Sequence, residues 1–260
     1  MHPKPRSQEQ KLSGPGETVM STAIFKTQPE SGCERIMRQT LHAVEVAQAA
    51  AAAIAEGIAT ASTSHLRVMR DYEEELDSLD REINQSVTST ISKVSEPEAR
   101  ELLACLKFIL ELERIGDLLL NFVNRAGAVL KRMDQQDVKD LTLMASIIER
   151  MLTDVHRAFE SRELNPCLAV LRADSEIDRM RNMIFMRHVE NPENQPRQES
   201  FHIVFMTQTL ERAGDHVKNL AEEVCHLVTK QSIRHLLRAS DKPFEEMFLD
   251  WMRKQEAGKR

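Results

Sequence analysis

The sequence has few aromatic residues, no long apolar run and no excess of positive charge. Phe, Tyr and Trp make up 4% of the 260 residues, and β-branched residues rarely cluster, which favours helices over sheets. The formal net charge of -6 argues against a general nucleic-acid-binding protein, because such proteins carry a basic surface. The most apolar stretch, residues 46–55, is too short to cross a bilayer, which takes about 20 residues. We therefore predict a protein that is not inserted in a membrane.

Cysteine pairs and catalytic motifs are also missing. The four cysteines are far apart and form no Cys-x-x-Cys pair, which is typical of reduced thiols in a cytoplasmic protein. No apolar segment follows the charged start of the chain, so we expect no signal peptide. The sequence contains no Walker loop, no Gly-x-Ser-x-Gly motif, no glycine-rich nucleotide fingerprint and no zinc-type spacing of Cys and His. We expect that the protein is not an enzyme.

The positions of the prolines divide the chain into segments. Four of the nine prolines fall within residues 1–31, which have no apolar period and are predicted to form a flexible N-terminal tail. Long proline-free segments follow, and they suit helices because proline is excluded from helix interiors. We expect helix junctions at Pro97, at Pro166 and at the pair Pro192 and Pro196.

Three apolar ladders with helical spacing each occur twice along the chain, in the same order. The ladders of the first copy are Ala47, Ala51, Ile54, Ile58, Ala61; Met69, Tyr72, Leu76, Leu79, Ile83; and Phe108, Leu112, Ile115, Leu119, Phe122, Ala126, Val129. Those of the second copy are Met144, Ile148, Met151, Val155, Ala158; Val170, Ala173, Ile177, Met180, Ile184; and Met206, Leu210, Ala213, Val217, Leu220, Val224, Leu227. The copies are offset by 97, 101 and 98 residues respectively. Such agreement indicates a duplicated unit.

The predicted architecture is all-α, with two tandem three-helix bundles and six long helices. We assign residues 32–133 to the first repeat and residues 134–232 to the second. The boundary falls near Met133–Gln136, where Asp134 or Asp137 could cap the fourth helix. Residues 233–260 are predicted to be a C-terminal tail.

An acidic motif recurs at matched places on four of the predicted helices. A Glu-Arg-x-Gly-Asp segment lies on the third helix of each repeat, and a carboxylate pair with the same spacing lies on each second helix. The paired residues are Glu73 and Asp77, Glu113 and Asp117, Asp174 and Asp178, and Glu211 and Asp215. Residues four apart share one face of a helix. Carboxylates in this arrangement can chelate a hard cation such as Mg²⁺, Ca²⁺, Mn²⁺ or ferric iron. Alternatively, they are solvated surface charges facing away from the apolar seam.

Each third helix also carries a mid-helix glycine, Gly116 in the first repeat and Gly214 in the second. A glycine there costs about 1 kcal/mol relative to alanine. Either close packing of a neighbouring helix or room for a ligand would account for it.

Two Glu-x-x-His pairs resemble the ligand pairs of di-iron helical bundles. They are Glu199 with His202 and Glu223 with His226. Both fall on one predicted helix, about 36 Å apart at 1.5 Å per residue, so they cannot form a ferritin-like centre. His216, beside Asp215, is a better candidate for an additional ligand. The acidic run over residues 71–82 is interpreted as a solvated helix face, with a docking surface for a basic partner as the alternative.

The two segments Leu112–Asp117 and Leu210–Asp215 resemble the repeated signature of the PhoU family. The resemblance covers about residues 33–232 and includes the upstream pairs, Asp174 with Asp178 and, more loosely, Glu73 with Asp77. It departs from the family pattern in Glu73, where Asp is usual, in an alanine-rich first helix, and in the N-terminal tail.

The resemblance implies two three-helix bundles and a regulatory role. PhoU proteins are negative regulators of the phosphate-starvation response that link a phosphate ABC transporter to a sensor histidine kinase and restrain phosphate uptake. Members are often homodimers, and some bind multinuclear clusters of iron or of other metals, so iron is the first candidate for this chain, with Mg, Mn and Zn as the others. The implied metal ligands are Glu73, Asp77, Glu113, Asp117, Asp174, Asp178, Glu211 and Asp215. An alternative is a metal-binding accessory protein of a low-affinity phosphate carrier.

Overall fold

The computed structural model describes residues 30–190, 198–230 and 253. Seven α-helices lie within these residues, and six of them are long, which confirms the predicted all-α fold. They are α1 (Gly32–Ala59), α2 (Thr63–Arg67), α3 (Met69–Thr90), α4 (Glu96–Val129), α5 (Gln135–Ser161), α6 (Asn165–Phe185) and α7 (Gln198–Thr229). A 3₁₀ turn (Ile91–Lys93) follows α3, and a π-helical turn (Met186–Glu190) follows α6. The predicted tails fall largely outside the described residues.

Helix starts follow the local sequence signals. Pro97 and Pro166 lie in the first turns of α4 and α6, where a missing backbone donor does no harm. The Asp134 carboxylate accepts a hydrogen bond from the Asp137 backbone N–H at 2.7 Å, so Asp134 is the N-cap of α5. Pro192 and Pro196 lie outside the described residues.

Nearly all the residues of the six apolar ladders are buried. Tyr72 and Leu227 are half-buried. The exception is Ala61, which was predicted to continue the first helix and is instead exposed beyond its end, with φ of 50°. The backbone N–H of Ser62 reaches back to the Gly57 carbonyl at 2.9 Å, a helix-ending arrangement that places the intervening residue in the left-handed region.

The two repeats share one hydrophobic core. Helix α3 packs on α1 and α4, and α6 packs on α5 and α7, while the largest contacts join the equivalent helices α1 and α5, and α4 and α7. The rings of Phe108 on α4 and Phe159 on α5 lie 4.4 Å apart between centroids. The described residues from Ser31 onward accordingly form one compact unit.

The four cysteines are free thiols, and all four are buried. Burial raises the pKa of the Cys105 thiol to about 11, so this side chain is not a nucleophile at neutral pH. Among the described helices, none combines the length and the apolar character needed to cross a membrane.

A buried charge network holds the π-helical turn against the start of α5. The Arg187 guanidinium donates to Asp137 Oδ1 at 2.6 Å and to Asp140 Oδ2 at 2.7 Å. The His188 imidazole lies 2.8 Å from Asp137 and 3.2 Å from the Ser200 hydroxyl. Burial disfavours the charge on Asp137, but the bonds from His188 and Arg187 outweigh it and lower the pKa of this carboxyl.

Candidate functional site: the paired acidic motifs

The two mid-helix glycines let the second helix of each repeat approach the third. A Cβ atom on Gly116 would lie 2.8 Å from Leu76 Cδ1, and one on Gly214 would lie 3.0 Å from Ile177 Cδ1. Leu76 and Ile177 occupy matched positions in the two repeats, so the same close contact is built twice. Close helix packing therefore accounts for both glycines, and it brings the acidic pairs of neighbouring helices towards each other.

In the first repeat the acidic pairs of α3 and α4 act on one another. Burial, followed by the charges of Asp77 and Asp117, raises the pKa of Glu73. Burial, followed by Asp117, Asp77 and Asp80, raises the pKa of Glu113. The motif carboxylates thus repel each other across the helix interface, which is the arrangement that a bound cation would relieve.

Asp80 is a member of this group that the sequence analysis missed. It lies three residues after Asp77, close to one further helical turn, so its spacing could have placed it on the same face. Arg70 lowers the pKa of Glu73 and Arg114 lowers the pKa of Glu113, but in both cases burial and the neighbouring carboxylates act more strongly. Arg114 itself lies 3.8 Å from Glu111.

In the second repeat two basic side chains enter the acidic motif. The Lys218 ammonium lies 2.5 Å from Asp174 Oδ2, and the Arg181 guanidinium lies 3.4 Å from Glu211 Oε1. Burial raises the pKa of Asp174 although the bond to Lys218 opposes the rise. Burial, followed by the charge of Asp215, raises the pKa of Glu211 despite Arg181. Neither cation was predicted from the sequence, although aligning the two repeats places Lys218 opposite Leu120 and Arg181 opposite Asp80.

As positioned, the described side chains contain no group of three or more His, Cys, Asp or Glu residues that could hold a metal ion. Whether either acidic motif suits a cation therefore depends on the chemical nature of its ligand atoms. The first repeat presents carboxylate oxygens from two helices and no ammonium, which fits a hard cation such as Mg²⁺, Mn²⁺ or ferric iron. The second repeat presents carboxylates of which one, Asp174, already bonds an ammonium group, and it fits a metal ion poorly.

His216 and Asn219 lie at the interface between α4 and α7. The His216 Nδ1 is 2.6 Å from Glu111 Oε2, and the Asn219 amide donates to the same oxygen at 3.1 Å. Burial opposes the charge on Glu111, but these bonds outweigh it and lower its pKa. This cross-repeat contact engages the histidine that was predicted as an additional ligand. Glu111 was not identified from the sequence.

Both Glu-x-x-His pairs lie on α7, as predicted. Glu199 forms an ion pair with Arg132 at 2.7 Å, and Glu223 forms one with Lys107 at 2.9 Å. His226 Nδ1 lies 3.6 Å from Glu223. Each glutamate thus ties α7 to another part of the chain.

A tandem pair of three-helix repeats that share a core, each with carboxylate pairs where its second and third helices meet, defines a class of duplicated helical-bundle proteins. The sequence profile of the PhoU domain matches residues 40–126 and again residues 141–224. The chain therefore belongs to the PhoU family, and the profile recovers the duplication seen in the ladders.

Proteins from several bacteria are similar to this chain in sequence. The phosphate-specific transport system accessory protein PhoU homolog of Caulobacter vibrioides is 30% identical over 168 residues, which cover 62% of this chain and 72% of the relative. PhoU homolog 1 of Thermotoga maritima is 26% identical over 188 residues, which cover 70% of this chain and 81% of the relative.

Solved structures share the fold. The crystal structure of PhoU from Pseudomonas aeruginosa superposes with a TM-score of 0.70 at 19% identity, covering 78% of this chain and 100% of that one. The phosphate transport system regulatory protein PhoU from Streptococcus pneumoniae superposes with a TM-score of 0.68 at 14% identity, covering 77% and 96%.

Proposed function

We propose that this protein is a negative regulator of the phosphate-starvation response and of phosphate uptake. In this proposal it acts as a cytoplasmic adaptor, and it links the cytoplasmic subunits of a phosphate ABC transporter to a sensor histidine kinase. The observation that carries the proposal is membership of the PhoU family over both repeats, together with relatives named as accessory proteins of phosphate-specific transport.

The described surface supports a role in binding other proteins. Large apolar side chains are exposed on the last turn of α6, on the π-helical turn that follows it and on the first two turns of α7. They are Met183, Phe185, Met186, Val189, Phe201 and Phe205. Exposed apolar side chains in such number are typical of surfaces that another macromolecule covers. An adaptor of this kind changes the output of its partners only if it binds two of their states with different affinities.

Deletion of the gene is expected to make a phosphatase reporter of the starvation response constitutive in medium with abundant phosphate. The reason is that the kinase would lose the contact that holds it in its repressed state. Expression is compared in the parent strain, in the deletion strain and in the deletion strain with the gene restored. Reporter activity that stays repressed in a deletion strain without a second copy of the gene would contradict the proposal and favour the low-affinity carrier role.

We further propose that the first acidic motif binds metal ions through Glu73, Asp77, Glu113 and Asp117. The observation that favours this site is the close approach of α3 and α4 at Gly116, with two motif carboxylates on each helix. Burial and the neighbouring carboxylates raise the pKa of Glu73 and of Glu113, as expected for an acidic group that lacks a counter-charge. Metal would supply the positive charge that holds α3 and α4 together at this level. The proposed metal is iron, with Mg, Mn and Zn as alternatives, in a cluster of more than one ion.

Untagged wild-type protein is expected to retain metal on elemental analysis, and the variant Asp77→Asn/Asp117→Asn is expected to lose it. Both substitutions remove a ligand charge from the cluster while keeping side-chain size. The matched control is Asp71→Asn/Glu160→Gln, which neutralises two exposed acids outside the motif and should keep wild-type metal content. Equal metal in the motif variant and the wild type would show that the ions lie elsewhere.

A further inference from the structure

We infer that the Lys218 ammonium at Asp174 and the Arg181 guanidinium at Glu211 together take the place of metal in the second acidic motif, so that only the first repeat binds metal ions. The inference deepens the proposed metal site and rests on it. It concerns the ligand set Asp174, Asp178, Glu211 and Asp215, which the resemblance alone would assign to metal.

The contact between Lys218 and Asp174 is built into the helix interface. Asp174 is buried on α6, and the Lys218 side chain crosses from α7 and is 30% exposed. The Lys218 ammonium donates a charge-assisted hydrogen bond to Asp174 Oδ2. A buried carboxylate requires such a partner, because its charge would otherwise be left unsolvated.

The other half of the motif is compensated in the same way. Arg181, one turn beyond Asp178 on α6, lies 3.4 Å from Glu211 on α7. The Gln208 amide donates to the second oxygen of Glu211 at 2.8 Å. One carboxylate on each of the two helices is therefore already bonded to a cation from the neighbouring helix.

The first repeat has no equivalent of either cation. The position that matches Lys218 is Leu120, which lies three residues after Asp117 as Lys218 lies three after Asp215. The position that matches Arg181 is Asp80, which lies three residues after Asp77 as Arg181 lies three after Asp178. The first motif thus has a fifth carboxylate in its charge network, whereas the second has two basic side chains.

This difference decides which motif can take a metal ion. Metal entering the second motif would have to break the bond between Lys218 and Asp174 and leave an ammonium group beside a multivalent cation. Metal entering the first motif would break no ion pair between its four carboxylates and the other described residues. Two arginines, Arg70 and Arg114, act on these carboxylates less strongly than burial and the neighbouring carboxylates do. In the second motif, therefore, one carboxylate on each helix is already paired with a basic side chain of the protein, whereas the first motif can bind a metal cation.

Two single variants, Lys218→Leu and Leu120→Lys, test the inference, because each gives one motif the side chain of the other at the matched position. The full-length protein is stripped with chelator and dialysed against Mn²⁺, and bound Mn²⁺ per chain is then measured by elemental analysis. Lys218→Leu is expected to bind at least one more Mn²⁺ per chain than the wild type, and its melting temperature should rise more on Mn²⁺ addition. Leu120→Lys is expected to lose the Mn²⁺ of the wild type. Lys139→Leu, at an exposed position on α5, controls for the loss of a positive charge and should leave Mn²⁺ binding unchanged.

The outcomes also separate this inference from the proposed first-repeat site. Equal Mn²⁺ binding by Lys218→Leu and the wild type would overturn the inference. The variant Asp178→Asn retains the bond between Lys218 and Asp174 and provides a test if Lys218→Leu fails to fold. Loss of the wild-type Mn²⁺ binding in Asp178→Asn would also overturn the inference. Mn²⁺ binding by Lys218→Leu with none by the wild type would refute only the first-repeat site and keep the assignment of Lys218.

Discussion

Replacing Arg187 with methionine is expected to lower the free energy of unfolding by about 3–5 kcal/mol, the range found when one partner of a buried ion pair is removed. Asp137 and Asp140 are only 3% and 5% exposed, and both accept charged hydrogen bonds from Arg187. Without the guanidinium, two buried carboxylates on one helix turn would lose their shared counter-charge. Urea denaturation followed by circular dichroism would measure the loss.

The matched control is Arg179→Met, which removes an exposed arginine from the same stretch of chain. Its effect should stay within about 0.5 kcal/mol, as for most surface substitutions. If both variants lost the same stability, the network would not be what holds the π-helical turn to α5.

The effect of Arg187→Met should also depend on pH. The pKa of Asp137 is lowered in the folded protein, so the folded state binds protons less readily than the unfolded chain at this group. The stability that it contributes is present above the unfolded pKa of about 4 and is lost as the pH falls through the folded-state value. The difference between the variant and the wild type should therefore shrink in acid.

Replacing Phe159 with alanine is expected to cost about 3–5 kcal/mol of unfolding free energy. Phe159 and Phe108 are fully buried, and their rings pack together between the repeats. The Arg162 guanidinium also lies 4.6 Å from the centre of the Phe159 ring, so truncation would remove a cation–π contact as well. The cavity would open between α4 and α5, where the surrounding helices can relax only in part.

Because Phe159 joins the two repeats, its loss should destabilise both together. Thermal unfolding of the variant is expected to remain a single transition at a lower temperature, since the buried residues of the two repeats form one continuous core. Phe201→Ala, at a side chain that is 59% exposed, is the control and should change stability little. Two resolved transitions in Phe159→Ala would mean that the repeats fold independently.

Much of the helical architecture could be read from local patterns. The apolar ladders identified the buried faces because a helix repeats its direction every 3.6 residues, and this period is visible without any knowledge of neighbours. The doubled ladders revealed the duplication for the same reason, and Pro97, Pro166 and Asp134 marked helix starts through backbone chemistry that acts within one turn. The paired carboxylates were also found from spacing alone.

The tertiary structure decided which helices meet and which charges are compensated. The sequence did not show that α1 packs on α5 and α4 on α7, since a period identifies an apolar face but not the face that covers it. It also did not show that Leu76 and Ile177 occupy the space beside the glycines. Lys218 and Arg181 reach carboxylates 44 and 30 residues away, and Glu111 bonds a histidine 105 residues away. The two acidic motifs are alike in sequence spacing. They differ in which carboxylates are paired with a cation, and this difference arises only when the helices pack together, because charges interact through space.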